Sequence, residues 1–166
     1  MLGHDRARAR VGGQLPVLGA ELDADYDVVE AGMAWGRVKG PDFIGKAAHE
    51  QHREQDPVAI LCTLTVDDHT SKDGTNRYML GREPVLSKQG EPLLDAHGRR
   101  SYGTSAGAGP SIGQPILMSY QPPDDANAAE ELLGEYLGRQ YQGTAAQTRT
   151  PPCFGTCTLR GHTVGG

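Results

Sequence analysis

The serine of Gly103-Thr104-Ser105-Ala106-Gly107 stands in a G-x-S-x-G spacing, and Asp124 and His162 follow it in chain order. That order of serine, carboxylate and histidine is the one used by nucleophile-elbow hydrolases. In them a strand delivers the serine to a sharp turn, and a helix then carries the chain away. Here the sequel is Ala108-Gly109-Pro110-Ser111, a β-turn sequence, and 166 residues leave little room for the surrounding α/β sheet. Ser105 is therefore expected on a strand that ends in a glycine-rich reversal. Cys153-x3-Cys157-x4-His162 offers three ligands at an uncommon spacing for zinc, in a region without core-forming residues. A tail with two free thiols and no metal is the expectation. His49 and His52 share a helix face at i, i+3 but lack a third ligand nearby, which makes them surface residues. Arg82-Glu83, just before Pro84, have the chemistry to serve at a barrel mouth or simply to mark a strand entrance. No phosphate loop and no G-x-G-x-x-G after a strand is present, so no FAD or NAD site of the Rossmann kind is expected.

The elements that must position these groups are short. Glu83 to Asp125 reads as strands separated by turns, with reversals at Lys88-Gln89-Gly90, at Asp95-Ala96-His97-Gly98 and from Gly107 to Pro110. Pro115 to Tyr120 is an apolar run too brief for a helix. Val58 to Val66 is the best strand, β-branched and bounded by Pro57 and Asp67-Asp68. A helix is expected from Phe43 to Gln55, capped by Asp42, with Phe43, Ile44, Ala47 and Ala48 as a narrow apolar face. Asp124 to Ala129 reads as a loop. Glu131 to Gln147 reads as a last hairpin turning at Gly138, with Leu133 and Leu137 on one strand and Tyr141 and Ala145 on the other. The fold class expected is mainly β with a leading helix, a small antiparallel barrel of six to seven strands that leaves no exposed edge.

Composition agrees. Apolar residues are 37% and aromatics 5%, so the core is modest, while 23 glycines and 11 prolines favour a turn-rich β architecture. A formal charge of −5 argues against nucleic acid, since the basic cluster Arg6, Arg8, Arg10 lies in a tail-like N-terminus. No signal-peptide pattern and no run of about 18 apolar residues occurs, so no membrane role and a cytoplasmic location are expected. Three cysteines without framework spacing fit a reducing compartment.

Three segments taken together resemble the C-terminal portion of the glycine cleavage T-protein (aminomethyltransferase) family. Glu30-Ala31-Gly32-Met33-Ala34-Trp35 is similar to the family's EAGL stretch, and Asp42-Phe43-Ile44-Gly45-Lys46 matches its DFIGK helix start. The third is Glu83-Pro84-Val85-Leu86 followed by TSAGAGPSIGQPILMSY at Thr104 to Tyr120, similar to its barrel signature. The match covers residues 10–147. Pro122-Pro123-Asp124-Asp125 and the EYLGRQY hairpin resemble the version fused to FAD-dependent dimethylglycine or sarcosine dehydrogenases.

The resemblance implies a tetrahydrofolate-dependent enzyme of one-carbon metabolism, a three-domain cloverleaf whose C-terminal domain is the barrel. It divides this chain into a lead-in at 1–41, a remnant of the preceding folate-binding domain, the barrel domain at 42–150, and a divergent, disordered tail at 151–166. The family's catalytic carboxylate belongs to its first domain, so no catalytic residue is assigned here and the chain is expected to be inactive alone. Arg10 is the folate-binding residue carried over, with Leu15 and Gly19 at matching offsets and Gly12-Gly13 where Glu-Ala is usual. A second family arginine has no match at its own position, where Leu80 stands, with Arg82 two residues on. The implied partners are a folate or amine substrate in the complete enzyme, and a catalytic partner chain or self-association. The alternative is a non-catalytic binding or structural subunit that completes a separate catalytic chain.

Overall fold

The computed structural model describes residues 16–34, 42–66, 69–70, 73–109, 113–128, 131–136 and 138–147. Helix α1 (Lys46–Glu54) leads into strand β1 (Ile60–Val66), followed by β2 (Val85–Leu86), β3 (Gly103–Gly109) and β4 (Gln114–Gln121). Helix α2 (Pro123–Ala128) then precedes the hairpin of β5 (Glu131–Tyr136) and β6 (Arg139–Gln147). The six strands form one antiparallel sheet in the order β2-β5-β6-β1-β4-β3. The most β-branched strand, β1, sits inside it, with Leu61 opposite Tyr120 on β4 and Leu64 opposite both Leu117 and Ala145.

In that order β2 and β3 are the edges, yet the chain draws them together. Pro84 bridges Tyr102. Val85 N–H donates to the Ser101 carbonyl at 3.1 Å, Gly103 N–H to the Glu83 carbonyl at 2.8 Å, and Arg82 N–H to the Gly103 carbonyl. On the other side Glu135 N–H donates to the Pro84 carbonyl. Segment 82–85 is thus bonded left and right. The mainly β, six-stranded antiparallel domain with a leading helix is what forms, and its edges meet through a short seam rather than a continuous ladder. Backbone groups that an open edge would leave to solvent are paired there.

Two apolar clusters flank the central strands. Inside the curved sheet, Cys62, Leu64, Val85, Leu93, Leu117, Ala126 and Leu132 pack together. On the outer face of β1 and β4, Leu61, Ile116, Met118 and Tyr120 are covered by Leu22, Tyr26 and Ala31 of the segment before α1. Period-2 alternation explains the division: odd positions of β4 from Leu117 face one cluster and even positions the other. Leu61 N–H donates to the Glu30 carbonyl at 3.0 Å, which fixes the register of that outer cover.

Several expectations are corrected. Helix α1 starts at Lys46 rather than Phe43, because Gly45 takes φ 89°, outside helical geometry, and serves as its N-cap. Among the described residues Asp42 accepts from its neighbour Phe43 N–H, at 3.1 Å, and from no N–H of α1. Phe43 is half-exposed and Ile44 fully exposed, and no residue of α1 is buried. Pro123-Asp124-Asp125 open helix α2 instead of a loop; proline suits a first helical turn and the carboxylates suit its positive end. The reversal placed at Gly107 to Pro110 comes later, since β3 runs through Gly109 and Gly113 (φ 70°) donates back to the Gly109 carbonyl. On β5 the buried leucine is Leu132, while Leu133 is half-buried; Leu137 and the side chains of Tyr141 and Ala145 lie outside the described residues. Among the described residues no helix is long and apolar enough to cross a membrane.

Candidate functional site

Between the seam and β3 the chain makes two tight reversals, and both are built by side chains that substitute for backbone partners. At the first, Gly90 (φ 83°) donates to the Ser87 carbonyl and Ser87 Oγ accepts from Gln89 and Glu91 N–H. At the second, Asp95 Oδ1 accepts from His97 and Arg99 N–H, each at 2.9 Å, while Gly98 takes φ 76°. These turns bring Pro92 beside Leu86 and Arg100 beside Leu94. The result is a cavity of about 390 Å³ whose wall includes Arg82, Pro84, Leu86, Pro92, Arg100 and Tyr102.

Arg82 is held there by an unusual backbone. Among the described residues it is the one non-glycine with positive φ, 72°, and it follows Gly81 at φ 102°. The left-handed region costs an L-residue roughly 1–2 kcal/mol. Buried Glu83 offsets this by accepting Leu80 N–H at 2.6 Å and Gly81 N–H at 2.8 Å with its two carboxylate oxygens. Arg82 and Arg100 are both exposed, and among the described residues neither side chain has an ion-pair partner. Burial pushes the Tyr102 hydroxyl above its ordinary pKa; Asp23 and Asp25 add to the rise, and Arg82 opposes it.

The next arginine along is used differently. Arg99 bonds Asp95 Oδ2 through Nε at 2.6 Å, Glu30 Oε1 through Nη2, and the Asp25 carbonyl through Nη1. Its guanidinium carbon lies 4.2 Å from the centroid of Tyr26, whose ring stacks on Tyr120 at 3.7 Å. Burial alone would lower the Arg99 pKa, but Glu30 and Asp95 overcome it and raise it. For Asp95 burial pulls upward, and the Arg99 backbone and side-chain donors with His97 N–H hold the carboxyl below its usual range. Desolvation pushes the Tyr26 hydroxyl up to about 12, with Arg99 acting against it. This column ties the segment before α1 to the second reversal.

Ser105 sits within β3, just past a bulge between Gly103 and Ser105, and its hydroxyl donates to Glu21. Glu21 is fully buried and also accepts from Thr104 Oγ1 at 3.0 Å and Val17 N–H at 3.0 Å. A buried serine in mid-strand, bonded to a carboxylate, is no exposed nucleophile, and the hydrolase spacing is coincidental. Asp124 lies in the first turn of α2. His162, Cys153, Cys157 and Arg10 lie outside the described residues. His52 reaches Asp27 at 2.9 Å from the surface of α1. Among the described residues no three His, Cys, Asp or Glu side chains gather as a metal set. Sequence reasoning singled out Arg82 and Glu83 but missed Arg100 and Tyr102; the signal was the pair of glycine reversals that fold the chain back beside Arg82.

The chain matches no protein-family model. It is 26% identical over 147 residues to the aminomethyltransferase of Synechococcus elongatus, covering 86% of this chain and 35% of that protein. The aminomethyltransferase of Prochlorococcus marinus is likewise 26% identical, over 144 residues, with 86% of this chain and 34% of that protein covered. The likeness is to aminomethyltransferases. It supports kinship with the glycine cleavage T-protein family, and the chain spans about a third of the length of the curated relatives it matches. The solved glycine cleavage system aminomethyltransferase T of Bartonella henselae superposes with a TM-score of 0.68 at 18% identity, over 87% of this chain and 37% of that one. At that identity the superposition speaks for a T-protein-like fold alone. The family-like motifs gain physical roles: Glu30 holds Arg99, Gly45 starts α1, and the third supplies edge strand β3 and its antiparallel neighbour β4.

Proposed function

We propose that this chain is the C-terminal barrel domain of a tetrahydrofolate-dependent aminomethyltransferase-like protein of one-carbon metabolism, of the dimethylglycine or sarcosine dehydrogenase type, inactive by itself. The observation that carries the reading is that most of this chain aligns with only about a third of each aminomethyltransferase it resembles. In the complete enzyme, holding folate beside an aminomethyl carbon supplies much of the rate, with a carboxylate orienting or deprotonating the folate amine. The buried carboxylates described here are engaged otherwise. Glu21, Glu30, Glu83 and Asp95 each accept from protein donors and serve turns and packing, which suits a domain that shapes a site without reacting in it. In this reading residues 1–41 derive from the preceding folate-binding domain, 42–150 are the barrel domain, and Arg10 meets the folate. The dehydrogenase-type assignment draws on the Pro122-Pro123-Asp124-Asp125 segment that opens α2.

A second reading is favoured by one observation. Phe43 and Ile44, side by side before α1, expose large apolar side chains, as an element that meets another chain would. The chain is then a non-catalytic subunit that completes a separate catalytic chain. Calorimetric titration of tetrahydrofolate into the purified chain and into Arg10→Ala tests the folate assignment. Saturable micromolar binding that disappears in Arg10→Ala is the expected result. Absence of any heat of binding would sink the folate role and leave the subunit reading.

A further inference from the structure

We propose that the outer face of β1 and β4 also takes the arm of a second copy of this chain, so that two copies dimerise by exchanging strap 16–34 together with helix α1.

The first argument is how the arm is held. Strap 16–34 is fixed to the sheet by specific long-range contacts. Glu21 accepts from the Thr104 and Ser105 hydroxyls, and the Tyr120 hydroxyl donates to the Glu21 carbonyl at 2.7 Å. Tyr26 stacks on Tyr120, Arg99 grips Glu30, and Leu61 N–H donates to the Glu30 carbonyl. Helix α1 adds no burial of its own against the sheet, and its His52 is bonded to Asp27, which belongs to the strap. Strap and helix thus form one arm that docks through the strap. Each of these strap–sheet contacts is equally available on the sheet of another molecule.

The second argument is the hinge. Helix α1 ends at Glu54, and the buried residues of the sheet begin at Ala59. Between them Gln55 is extended, at φ −101° and ψ 149°, and Pro57 biases Asp56 the same way. Gln55 and Asp56 are both exposed. A short connection of this kind invites exchange, whereas a longer one lets each arm fold back on its own sheet.

The third argument is apolar surface. Of the eight large apolar side chains that stand exposed among the described residues, five are on the arm: Leu18, Val28, Met33, Phe43 and Ile44. Docking onto its own sheet leaves them in water. Exchange crosses two arms between the molecules, where this surface gains a partner, and that burial favours the dimer over two monomers.

The test refolds the full chain from urea at about 1 mM, where a second molecule competes with a short tether. Light scattering is expected to show a dimer that returns slowly to monomer on dilution. In a dimer refolded from equal parts of isotope-labelled and unlabelled chain, isotope-filtered NMR is expected to show contacts between Tyr26 of one chain and Tyr120 of the other. Inserting Gly-Ser-Gly-Ser after Gln55 is expected to cut the dimer fraction about tenfold. The same insertion is expected to leave the unfolding midpoint of the monomer unchanged, because it falls at exposed residues, which separates lost exchange from lost folding. A chain that stays monomeric at that concentration, a dimer without Tyr26–Tyr120 contacts between chains, or a dimer fraction untouched by the insertion would each overturn the proposal.

Discussion

Arg99 and Arg100 are neighbours in sequence and opposite in use. Arg99 is engaged by Glu30, Asp95, the Asp25 carbonyl and the face of Tyr26. Arg100, one position on, is exposed and has no ion-pair partner among the described residues. The alternation of a strand makes this possible, since adjacent side chains leave on opposite faces. The 99–102 segment thus carries one guanidinium that is locked and one that is exposed. How a guanidinium is used is set by the carboxylates that the topology brings beside it, which Arg99 has in Glu30 and Asp95.

The contrast can be broken at the lock first. Arg99→Met leaves Glu30 and Asp95 buried and unpaired, so a loss of about 3–5 kcal/mol is expected in urea unfolding. The same change at Arg100 is expected to stay within about 0.5 kcal/mol. Equal effects at the two positions would erase the distinction. Gly103→Ala is next. A Cβ there would stand 2.5 Å from Leu117 Cδ1, and Leu117 is fully buried, so a loss of roughly 1–3 kcal/mol from overpacking is expected. Because Gly103 also bonds Arg82 and Glu83 across the seam, the seam is expected to loosen with it.

A pH titration sharpens the lock. The Asp95 carboxyl is held below its usual range in the fold, so it takes up a proton more readily when unfolded. Its stabilising contribution is complete above the unfolded value of about 4 and is lost as pH falls through the lower folded value. Urea midpoints taken from about pH 5 downward are expected to fall more steeply for the parent chain than for Asp95→Asn. Smallest is Arg82→Gly, where relief of the left-handed backbone is expected to add about 1 kcal/mol. A loss of stability in that variant would mean that the Arg82 side chain is structural after all.

Much of the sheet is legible in the sequence, and for local reasons. The β-branched run of β1, the Pro115 to Tyr120 run of β4 and the turn at Gly138 declare themselves by composition and by the residues that tolerate positive φ. The helices are less so. Asp42 has the chemistry of a cap, but Gly45 sits three residues later in a conformation that restarts the chain, and the helix follows the glycine. At α2 the proline and paired aspartates read equally as a loop or a first turn, and the burial of Ala126 decides it. The lock is invisible locally, since Glu30 and Arg99 are 69 residues apart. Nothing in the spacing of Glu21 and Ser105, 84 apart, could show that the tempting serine is bonded to a buried carboxylate. Long-range polar contacts are made by the topology that the short signals build.

The function proposed for this polypeptide, shaping a folate enzyme's site without carrying out its reaction, has a direct test. The direct measurement is folate-dependent release of amine from an aminomethyl donor by the purified 166-residue chain, set against the same assay with a complete aminomethyltransferase. No release above the enzyme-free rate is expected. Sustained turnover that requires both the chain and tetrahydrofolate would contradict the account.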